Sequence, residues 1–171
     1  AQVLDVNAGI PGGDEPALLV QAVRAVMACT DAPLCIDSAN PAALEAALAV
    51  YQGKALINST TGEQAALDRV LPLAARYGAA LICLCSDERG PSADPRTRLE
   101  VARSIAARAE GHGIPASDLI FDPLVMAVGA DAAAGRATLE TIHLLRWEMD
   151  ANLTCGASNV SFGLPDRPTL N

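Results

Sequence analysis

Aromatic side chains are scarce in this sequence: two Phe, two Tyr and one Trp make up 3% of its 171 residues. A core built on large rings is therefore excluded. Apolar residues nevertheless make up 51% of the chain, and alanine is very frequent among them. This composition is typical of many helices packed closely against another layer. The length is sufficient for one compact domain with a sizeable core.

Basic residues are also few. Twelve Lys and Arg stand against twenty Asp and Glu, and the formal net charge is −8. This balance argues against a nucleic-acid partner, because phosphate binding depends on positive charge. No basic run indicates a membrane surface, no apolar run reaches the roughly 18 residues of a transmembrane helix, and no signal peptide is apparent. We therefore predict a cytoplasmic protein with no membrane or nucleic-acid partner.

The cysteines do not form an evident disulfide framework, because there are five of them and they lie mostly in apolar runs. We interpret them as reduced, buried small hydrophobes of a cytosolic protein. Cys35 and Cys155 are expected to serve packing. Cys83 and Cys85 share a strand face, but they lack a third clustered ligand, so no zinc site is predicted. We expect the domain to hold no bound metal.

Several catalytic and nucleotide-binding motifs are missing. No Gly-x-Gly-x-x-Gly follows the first predicted strand and no Gly-rich loop carries a Lys, so neither a dinucleotide nor a triphosphate site has support. The two histidines, His112 and His143, lie within predicted helices or at their ends. No Ser–His or Cys–His pair for nucleophilic catalysis is therefore indicated.

The chain alternates short apolar runs with longer helical patterns, in six βα-type units. Asp14, Asn40 and Asp94 are predicted helix caps. Near-continuous apolar strands are buried on both faces, which favours a parallel sheet covered by helices. The predicted strands are 2–5, 34–36, 55–57, 79–85, 119–121 and a last one opening the stretch 154–165. The predicted helices follow Asp14 and then cover about 40–51, 63–77, 94–110 and 138–149, with another beginning near Pro168.

Polar side chains stand where the predicted strands end: Asp5, Asn7, Asp37, Asn58, Asp87, Asp122, Ser158 and Asn159. A barrel brings such ends together on one face, whereas an open doubly wound sheet spreads them along an edge. We therefore predict an α/β fold, a TIM (β/α)8 barrel, of which this chain contains strands 2 to 7. Residues 1–171 are expected to form a single domain that lacks the first and last βα units, as a fragment or as a chain completed by another copy.

The predicted cluster suits one kind of ligand. Asp37 and Asp122 supply carboxylates, and Asn58 and Asn159 supply carboxamides. A carboxylate accepts paired hydrogen bonds from the edge of a 2-amino-pyrimidinone, and an amide both donates and accepts. The set therefore favours binding of a flat heterocycle rich in N–H groups.

Six short motifs occur in a fixed order along nearly the whole chain: 5–9 (DVNAG), 35–38 (CIDS), 56–59 (LINS), 87–90 (DERG), 121–124 (FDPL) and 158–161 (SNVS) with 167–168 (RP). In this order they resemble the pterin-binding methyltransferase family, which comprises methyltetrahydrofolate:corrinoid protein methyltransferases and the folate domain of cobalamin-dependent methionine synthase. The resemblance implies a TIM barrel, methyltetrahydrofolate as substrate, and a corrinoid protein partner that carries cobalamin.

The resemblance also implies roles for individual residues. Asn159 would be catalytic, because it would lie near N5, the atom that bears the methyl group. The substrate-binding set would be Asp37, Asn58, Asp122 and Asn159 around the pterin ring, Asp5 and Asn7 at the pocket floor, and Gly156, Ser158 and Arg167 along its wall.

Other interpretations stay open. A dihydropteroate synthase has a similar pterin cradle, but it would need a basic site for a diphosphate leaving group, and only Arg167 offers one. Direct methylation of homocysteine would need a zinc site that is not evident. A non-catalytic folate-binding module is the third alternative.

Trp147 and His143 are interpreted as packing or interface residues, and the apolar outer faces of the alanine-rich helices favour a homodimer.

Overall fold

A computed structural model describes residues 1–171, apart from the side chain of residue 170. Within that range it contains six strands, six α-helices and two short 3-10 helices. The strands are β1 (Leu4–Asn7), β2 (Leu34–Asp37), β3 (Leu56–Thr60), β4 (Ala80–Leu84), β5 (Leu119–Asp122) and β6 (Asn152–Leu153). The α-helices are α1 (Glu15–Met27), α2 (Pro41–Val50), α3 (Gln64–Tyr77), α4 (Pro95–Gly111), α5 (Ala134–Met149) and α6 (Arg167–Leu170). The 3-10 helices are Ala116–Asp118 and Ala157–Ser161.

The strands form one sheet in the order β1-β2-β3-β4-β5-β6, and every neighbouring pair is parallel. Since parallel crossovers are right-handed, a strand order without reversal puts all the connecting helices on the same side. A doubly wound sheet would need a reversal in strand order. The topology is therefore that of a barrel wall, as predicted from the sequence, and it is open between β1 and β6.

The two faces of the sheet differ. One face packs against the helices and is buried at Val6, Ile36, Ile57, Leu81 and Phe121. Alternate residues point to the other face, where no helix lies within the described part of the chain. On this uncovered face Cys35 and Ile82 are buried, whereas Asp5 is exposed and Leu56 and Ile120 are only partly buried. The prediction that the strands are buried on both faces is therefore confirmed at β2 and β4 only, and the polar strand ends lie on the uncovered face.

Local signals determine most helix boundaries. The side chains of Asp14, Asn40 and Asp94 accept hydrogen bonds from first-turn N–H groups of α1, α2 and α4, which confirms the predicted caps. Helix α5 begins at Ala134, earlier than the predicted residue 138. Its start is hard to detect because Ala133, at the cap position, makes no side-chain cap bond. None of the described helices is long and apolar enough to cross a membrane.

Exposure corrects several residue interpretations. Cys35, Cys83 and Cys85 are buried as predicted, but Cys29 and Cys155 are exposed, so the packing role expected for Cys155 is wrong. Trp147 is 82% exposed and stacks on His143 with ring centroids 6.1 Å apart. These two rings therefore lie on the surface and do not pack in the core.

Candidate functional site

A cavity of about 460 Å³ opens on the uncovered face of the sheet, among the strand ends. Its volume is in the range typical of small-molecule sites. The cavity combines polar groups with an apolar wall and two thiols. The lining residues are Asp5, Asn58, Asp122 and Thr154, then Val3, Leu56, Ile82 and Gly156, and the cysteines Cys35 and Cys155.

Asp5 and Asn58 are held together in the cavity although they are 53 residues apart in sequence. The Asn58 Nδ2 donates to Asp5 Oδ2 at 3.2 Å, which orients the amide and leaves its Oδ1 as an acceptor. The pairing of β3 with β4 shifts register between Ile57 and Thr60, where β3 holds one extra residue. Such a bulge redirects side chains at the end of a strand, and here it lies at Asn58.

Cys35 is next to Asp5 in the β1–β2 ladder. Burial, the hydrogen bond to Asp5 and the negative charges of Asp5 and Asp37 raise the pKa of the Cys35 thiol to about 12. The thiol is therefore protonated at neutral pH, so it donates to Asp5 and is not a nucleophile.

Asn7 and Asp37 are paired residues in the β1–β2 ladder and do not line the cavity. Asn7 Nδ2 donates to Asp37 Oδ2 at 3.1 Å, and Asn7 Oδ1 accepts from the Gly9 N–H at 2.9 Å. Both ends of the Asn7 amide are thus engaged, so Asn7 positions the Asp37 carboxylate. Asp87, another predicted strand-end residue, forms an ion pair with Arg89 at 2.7 Å outside the cavity.

Asp122 is the most buried carboxylate of the cavity. It accepts from the Leu124 N–H at 2.8 Å and from the Gly156 N–H. Burial raises the pKa of Asp122 above its ordinary 3.8, whereas these two N–H groups and the Arg98 charge oppose that rise. The carboxylate is therefore fixed in orientation and poorly solvated, and it is a strong acceptor for a ligand N–H.

Arg98 is a buried residue beside the candidate site that the sequence interpretation missed. It is 2% exposed, and its Nη1 donates to the carbonyls of Pro123 at 2.7 Å and Leu124 at 3.0 Å. Its Nε donates to the Ser92 carbonyl at 2.6 Å. Leu124 has a φ of +65°, which is strained for a non-glycine residue. Arg98 therefore holds the turn that orients Asp122.

A sequence signal for Arg98 does exist. Arg98 is three, four and seven residues before the buried residues Val101, Ala102 and Ile105 of α4. This spacing puts the arginine on the apolar stripe of the helix. A charged residue at such a position needs internal partners, and carbonyl groups of the neighbouring loops supply them.

Substitution of Arg98 by lysine is expected to lower the free energy of unfolding by about 2–3 kcal/mol, because an ammonium cannot span three carbonyls on two loops. Urea unfolding followed by circular dichroism measures this change.

The matched control is Arg103→Lys on the same helix. Arg103 is exposed and pairs with Glu148, so this change is expected to cost less than about 1 kcal/mol. Equal effects of the two substitutions would contradict the role given to Arg98.

Asn159 is not at a strand end, and the prediction of a strand opening residues 154–165 is wrong. Strand β6 ends at Leu153, and Asn159 lies in the 3-10 helix Ala157–Ser161 with its side chain exposed. Its amide lies against Gly156: a Cβ on that glycine would be 2.9 Å from Asn159 Nδ2. Because Gly156 lines the cavity, Asn159 is next to the cavity wall without lining it.

Arg167 and Ser158 also do not line the cavity. Arg167 Nη2 donates to the Ser158 carbonyl at 2.9 Å, and its Nε donates to Ser161 Oγ at 3.2 Å. The guanidinium also lies 5.6 Å from the centre of the Phe162 ring. Arg167 therefore braces the 3-10 helix that carries Asn159.

The resulting arrangement can bind a flat, N–H-rich ring, with carboxylates from β1, β2 and β5 and an amide from β3. Among the side chains that the structure describes, no three His, Cys, Asp or Glu residues are close enough to hold a metal ion together.

The family model described as pterin binding enzyme matches residues 1–169. The chain belongs to this family. Among its curated relatives, this pterin-binding chain is 30% identical to a methylcorrinoid:tetrahydrofolate methyltransferase of Eubacterium limosum, over 100% of this chain and 64% of that protein. It is 27% identical to a methionine synthase of Mycobacterium tuberculosis, over 96% of this chain and 15% of that protein. The chain therefore spans less than two thirds of either relative.

Solved structures support the fold of this pterin-binding domain. A Yersinia pestis dihydropteroate synthase in a sulfonamide complex superposes with a TM-score of 0.71 at 16% identity, over 95% of this chain and 63% of that chain. A 7,8-dihydropteroate synthase from Vibrio fischeri superposes with a TM-score of 0.67 at 16% identity, over 91% and 61% of the two chains. At this level of identity the likeness concerns the fold alone, and the open sheet corresponds to part of a TIM barrel.

Proposed function

We propose that this protein binds methyltetrahydrofolate and moves its N5-methyl group to the cobalt(I) of a corrinoid protein, or carries out the reverse transfer. The observation that carries the proposal is the oriented, poorly solvated Asp122 carboxylate facing Asn58 across a cavity at the strand ends. The names of the two curated relatives support the same chemistry.

The pterin ring fits the donors and acceptors of the cavity. Its 2-amino and N3–H groups form a paired donor edge that a carboxylate such as Asp122 accepts. Asn58 Oδ1 accepts another ring N–H, because its Nδ2 is already bonded to Asp5. Asp37, held by Asn7, provides a further acceptor at the rim. The ring therefore lies flat against the strand ends, with N5 toward the Gly156 wall.

Methyl transfer needs help at N5, because a tertiary amine is a poor leaving group. When the N5–CH3 bond breaks, the electron pair stays on N5, and a proton arriving through water prevents an amide-like anion. Asn159 cannot supply that proton. Its amide, which lies against Gly156 of the cavity wall, would stabilise the protonated N5 or the transition state by a hydrogen bond. The corrinoid of the partner, when bound, supplies the nucleophile that takes the methyl group in line.

The rim of the cavity offers a surface for the corrinoid protein. Three large apolar side chains are exposed there: Ile10 at 59%, Met126 at 40% and Phe162 at 65%. They follow β1, β5 and β6, so they come after strands whose carboxyl ends lie on the same side of the sheet as the cavity. We further propose that residues 1–171 act as one pterin-binding barrel domain that two more βα units complete between β6 and β1.

A dihydropteroate synthase remains the second candidate because such enzymes share the fold. The cations of this chain give it less support. Lys54, the single lysine of the sequence, pairs with Asp118 at 2.6 Å, and Arg167 is engaged by Ser158 and Ser161. A diphosphate leaving group would need a cation that is free to reach it.

Two measurements test the proposal. Isothermal titration with methyltetrahydrofolate is expected to give saturable binding, and mixing the complex with a cobalt(I) corrinoid is expected to transfer the methyl group, seen as a change in the corrinoid spectrum. Absence of folate binding would overturn the whole proposal. Folate binding without transfer would leave a non-catalytic folate module, and turnover of a pterin diphosphate would favour the synthase.

Thiol labelling locates the ligand without an activity assay. Cys29 and Cys155 are exposed, whereas burial raises the pKa of Cys35 and Cys85 to about 12 each. A thiol reagent at pH 8 is therefore expected to modify Cys29 and Cys155 first. Methyltetrahydrofolate at about 20 times its Kd is expected to slow modification of Cys155 about tenfold or more, since Cys155 lines the cavity.

Cys29 is the internal control for this experiment, because it lies after α1 and outside the cavity. Mass spectrometry of digested protein gives both labelling rates in one sample. Protection of both cysteines, or of neither, would contradict the placement of the ligand.

A further inference from the structure

A second cavity, of about 210 Å³, lies between the loop that follows β4 and the loop that follows β5. The first turn of α5 forms one of its sides. It shares no lining residue with the proposed folate cavity, so the two sites are separate. Its wall is mostly apolar and is built from small residues and one methionine: Pro91, Ala93, Met126, Ala127, Ala130 and Ala137.

This small cavity contains a buried cation. Arg98 is one of its lining residues and is 2% exposed. Two of the three guanidinium nitrogens are bonded to carbonyl groups, Nε to Ser92 and Nη1 to Pro123 and Leu124. The third, Nη2, makes no hydrogen bond to any residue that the structure describes. Since every fully buried side-chain nitrogen in that part of the chain has a partner, Nη2 retains access to open space.

The shape of the guanidinium indicates where that open space is. Nη2 and Nε lie on the same edge of the planar group, and Nε points to Ser92, which also lines the cavity. The N–H bonds of Nη2 are therefore directed toward the cavity. Among the described residues, no carboxylate forms an ion pair with Arg98. A buried charge is stabilised by a counterion, and an anionic ligand would supply one here.

The surrounding charges also favour an anion. Helix α5 begins at the cavity wall, and Ala133 at its cap position makes no side-chain cap bond, so the positive end of the helix dipole lies at the cavity. Asp131 is the acid among the lining residues, and its Oδ1 accepts from the Ala133 N–H at 2.8 Å. Asp131 is exposed, so solvent screens its charge more than it screens the charge of buried Arg98.

We propose that this cavity binds a small aliphatic carboxylate, which accepts a hydrogen bond from Nη2 of Arg98 and lays its chain against the apolar wall. A phosphate fits less well, because its additional oxygens would face that wall without donors. The volume has room for about six to ten non-hydrogen atoms, which is the size of butyrate to octanoate and too small for a peptide segment. The inference does not depend on the proposed function.

Titration with hexanoate, followed by ligand-observed NMR at low salt and near-neutral pH, tests the site. The protein is expected to bind hexanoate with a Kd of about 0.1 to 1 mM. The uncharged hexanamide has the same chain and is expected to bind at least about tenfold more weakly, because it lacks the charge that Arg98 pairs with. Absence of saturable hexanoate binding, or equal affinity for hexanamide, would overturn the inference.

A cavity-filling substitution locates the bound ligand. Ala137→Leu extends an apolar side chain into the cavity at a helical position and is expected to raise the Kd for hexanoate at least about tenfold. Ala107→Leu is the matched control, since Ala107 is exposed on α4 and outside the cavity, and it is expected to leave the Kd unchanged. Unaltered affinity in a folded Ala137→Leu protein, checked by circular dichroism, would contradict the site.

The sign of the charge is tested at Asp131. Asp131→Asn keeps the oxygen that accepts from the Ala133 N–H and removes a negative charge beside the ligand. It is therefore expected to tighten hexanoate binding about two- to fivefold at low salt. Binding that is weakened or unchanged in this variant would overturn the anionic character of the site, independently of the folding of Ala137→Leu.

Discussion

Replacing Asn159 with alanine is expected to slow methyl transfer about 100- to 1,000-fold, while the Kd for methyltetrahydrofolate changes less than about threefold. The physical reason is that charge develops at N5 only as the methyl group leaves. A hydrogen bond that strengthens with that charge stabilises the transition state more than the bound substrate. Removing the amide therefore raises the barrier and leaves ground-state binding largely intact.

The position of Asn159 makes this expectation specific. Its amide lies against Gly156, which both lines the cavity and donates its N–H to Asp122. Gly156→Ala would put a Cβ 2.9 Å from Asn159 Nδ2, so it is expected to displace the amide and slow transfer in the same direction. Single-turnover stopped-flow measurements with a cobalt(I) corrinoid separate the chemical step from product release.

Asn152→Ala serves as the matched control for the asparagine substitution. Asn152 lies on β6 and donates to the Ser117 carbonyl at 3.1 Å, outside the cavity. Its replacement is expected to leave the transfer rate unchanged. An unaltered rate for Asn159→Ala at saturating folate would rule out the proposed catalytic role.

Replacing Asp122 with asparagine is expected to weaken methyltetrahydrofolate binding at least about 100-fold, which corresponds to roughly 3 kcal/mol. In the proposed folate complex, the carboxylate accepts two ligand N–H groups with charge assistance. The amide would lose the charge and turn its own NH2 toward the ligand donors. Calorimetric titration measures the difference, and Asp31→Asn at an exposed loop position outside the cavity is the control.

The fold is expected to survive this change. Burial raises the pKa of Asp122, which means that the ionised form is disfavoured in the folded protein relative to the unfolded chain. A neutral amide of the same shape removes that cost, and its Oδ1 still accepts from the Leu124 N–H. The free energy of unfolding at pH 7 is therefore expected to stay the same or rise. A strongly destabilised variant would contradict the assignment of Asp122 as a ligand-facing group.

Binding is also expected to depend on pH through Asp122. Because its pKa lies above the ordinary 3.8, the carboxylate takes up a proton at a higher pH than an exposed aspartate. As pH falls through that pKa, protonation removes the charged acceptor, so the affinity for folate is expected to decline. The same protonation removes the cost of burying the charge in the free protein. The part of the pH dependence that arises from this group should be absent in Asp122→Asn.

The sequence by itself determined the class of fold and the order of its elements. Helix caps such as Asn40 and Asp94, and the alternation of apolar strands with helical patterns, depend on contacts within a few residues, so they can be recognised locally. The convergence of polar strand ends also follows from sequence, because parallel strands bring their carboxyl ends to one side. For this reason Asp5, Asn58 and Asp122 line one cavity, and their role in binding a ligand stays a prediction.

Only the tertiary structure decided which predicted residues meet in one place. Asn58 is oriented by Asp5 across 53 residues of sequence, and Asp122 is oriented by Arg98 through carbonyl groups of a loop. No local pattern specifies either pairing. Strand β6 ends at Leu153, so Asn159 lies on a 3-10 helix beside the cavity wall. Burial and side-chain pairing depend on elements far apart in sequence, and this dependence is why Cys155 was expected inside and lies at the surface.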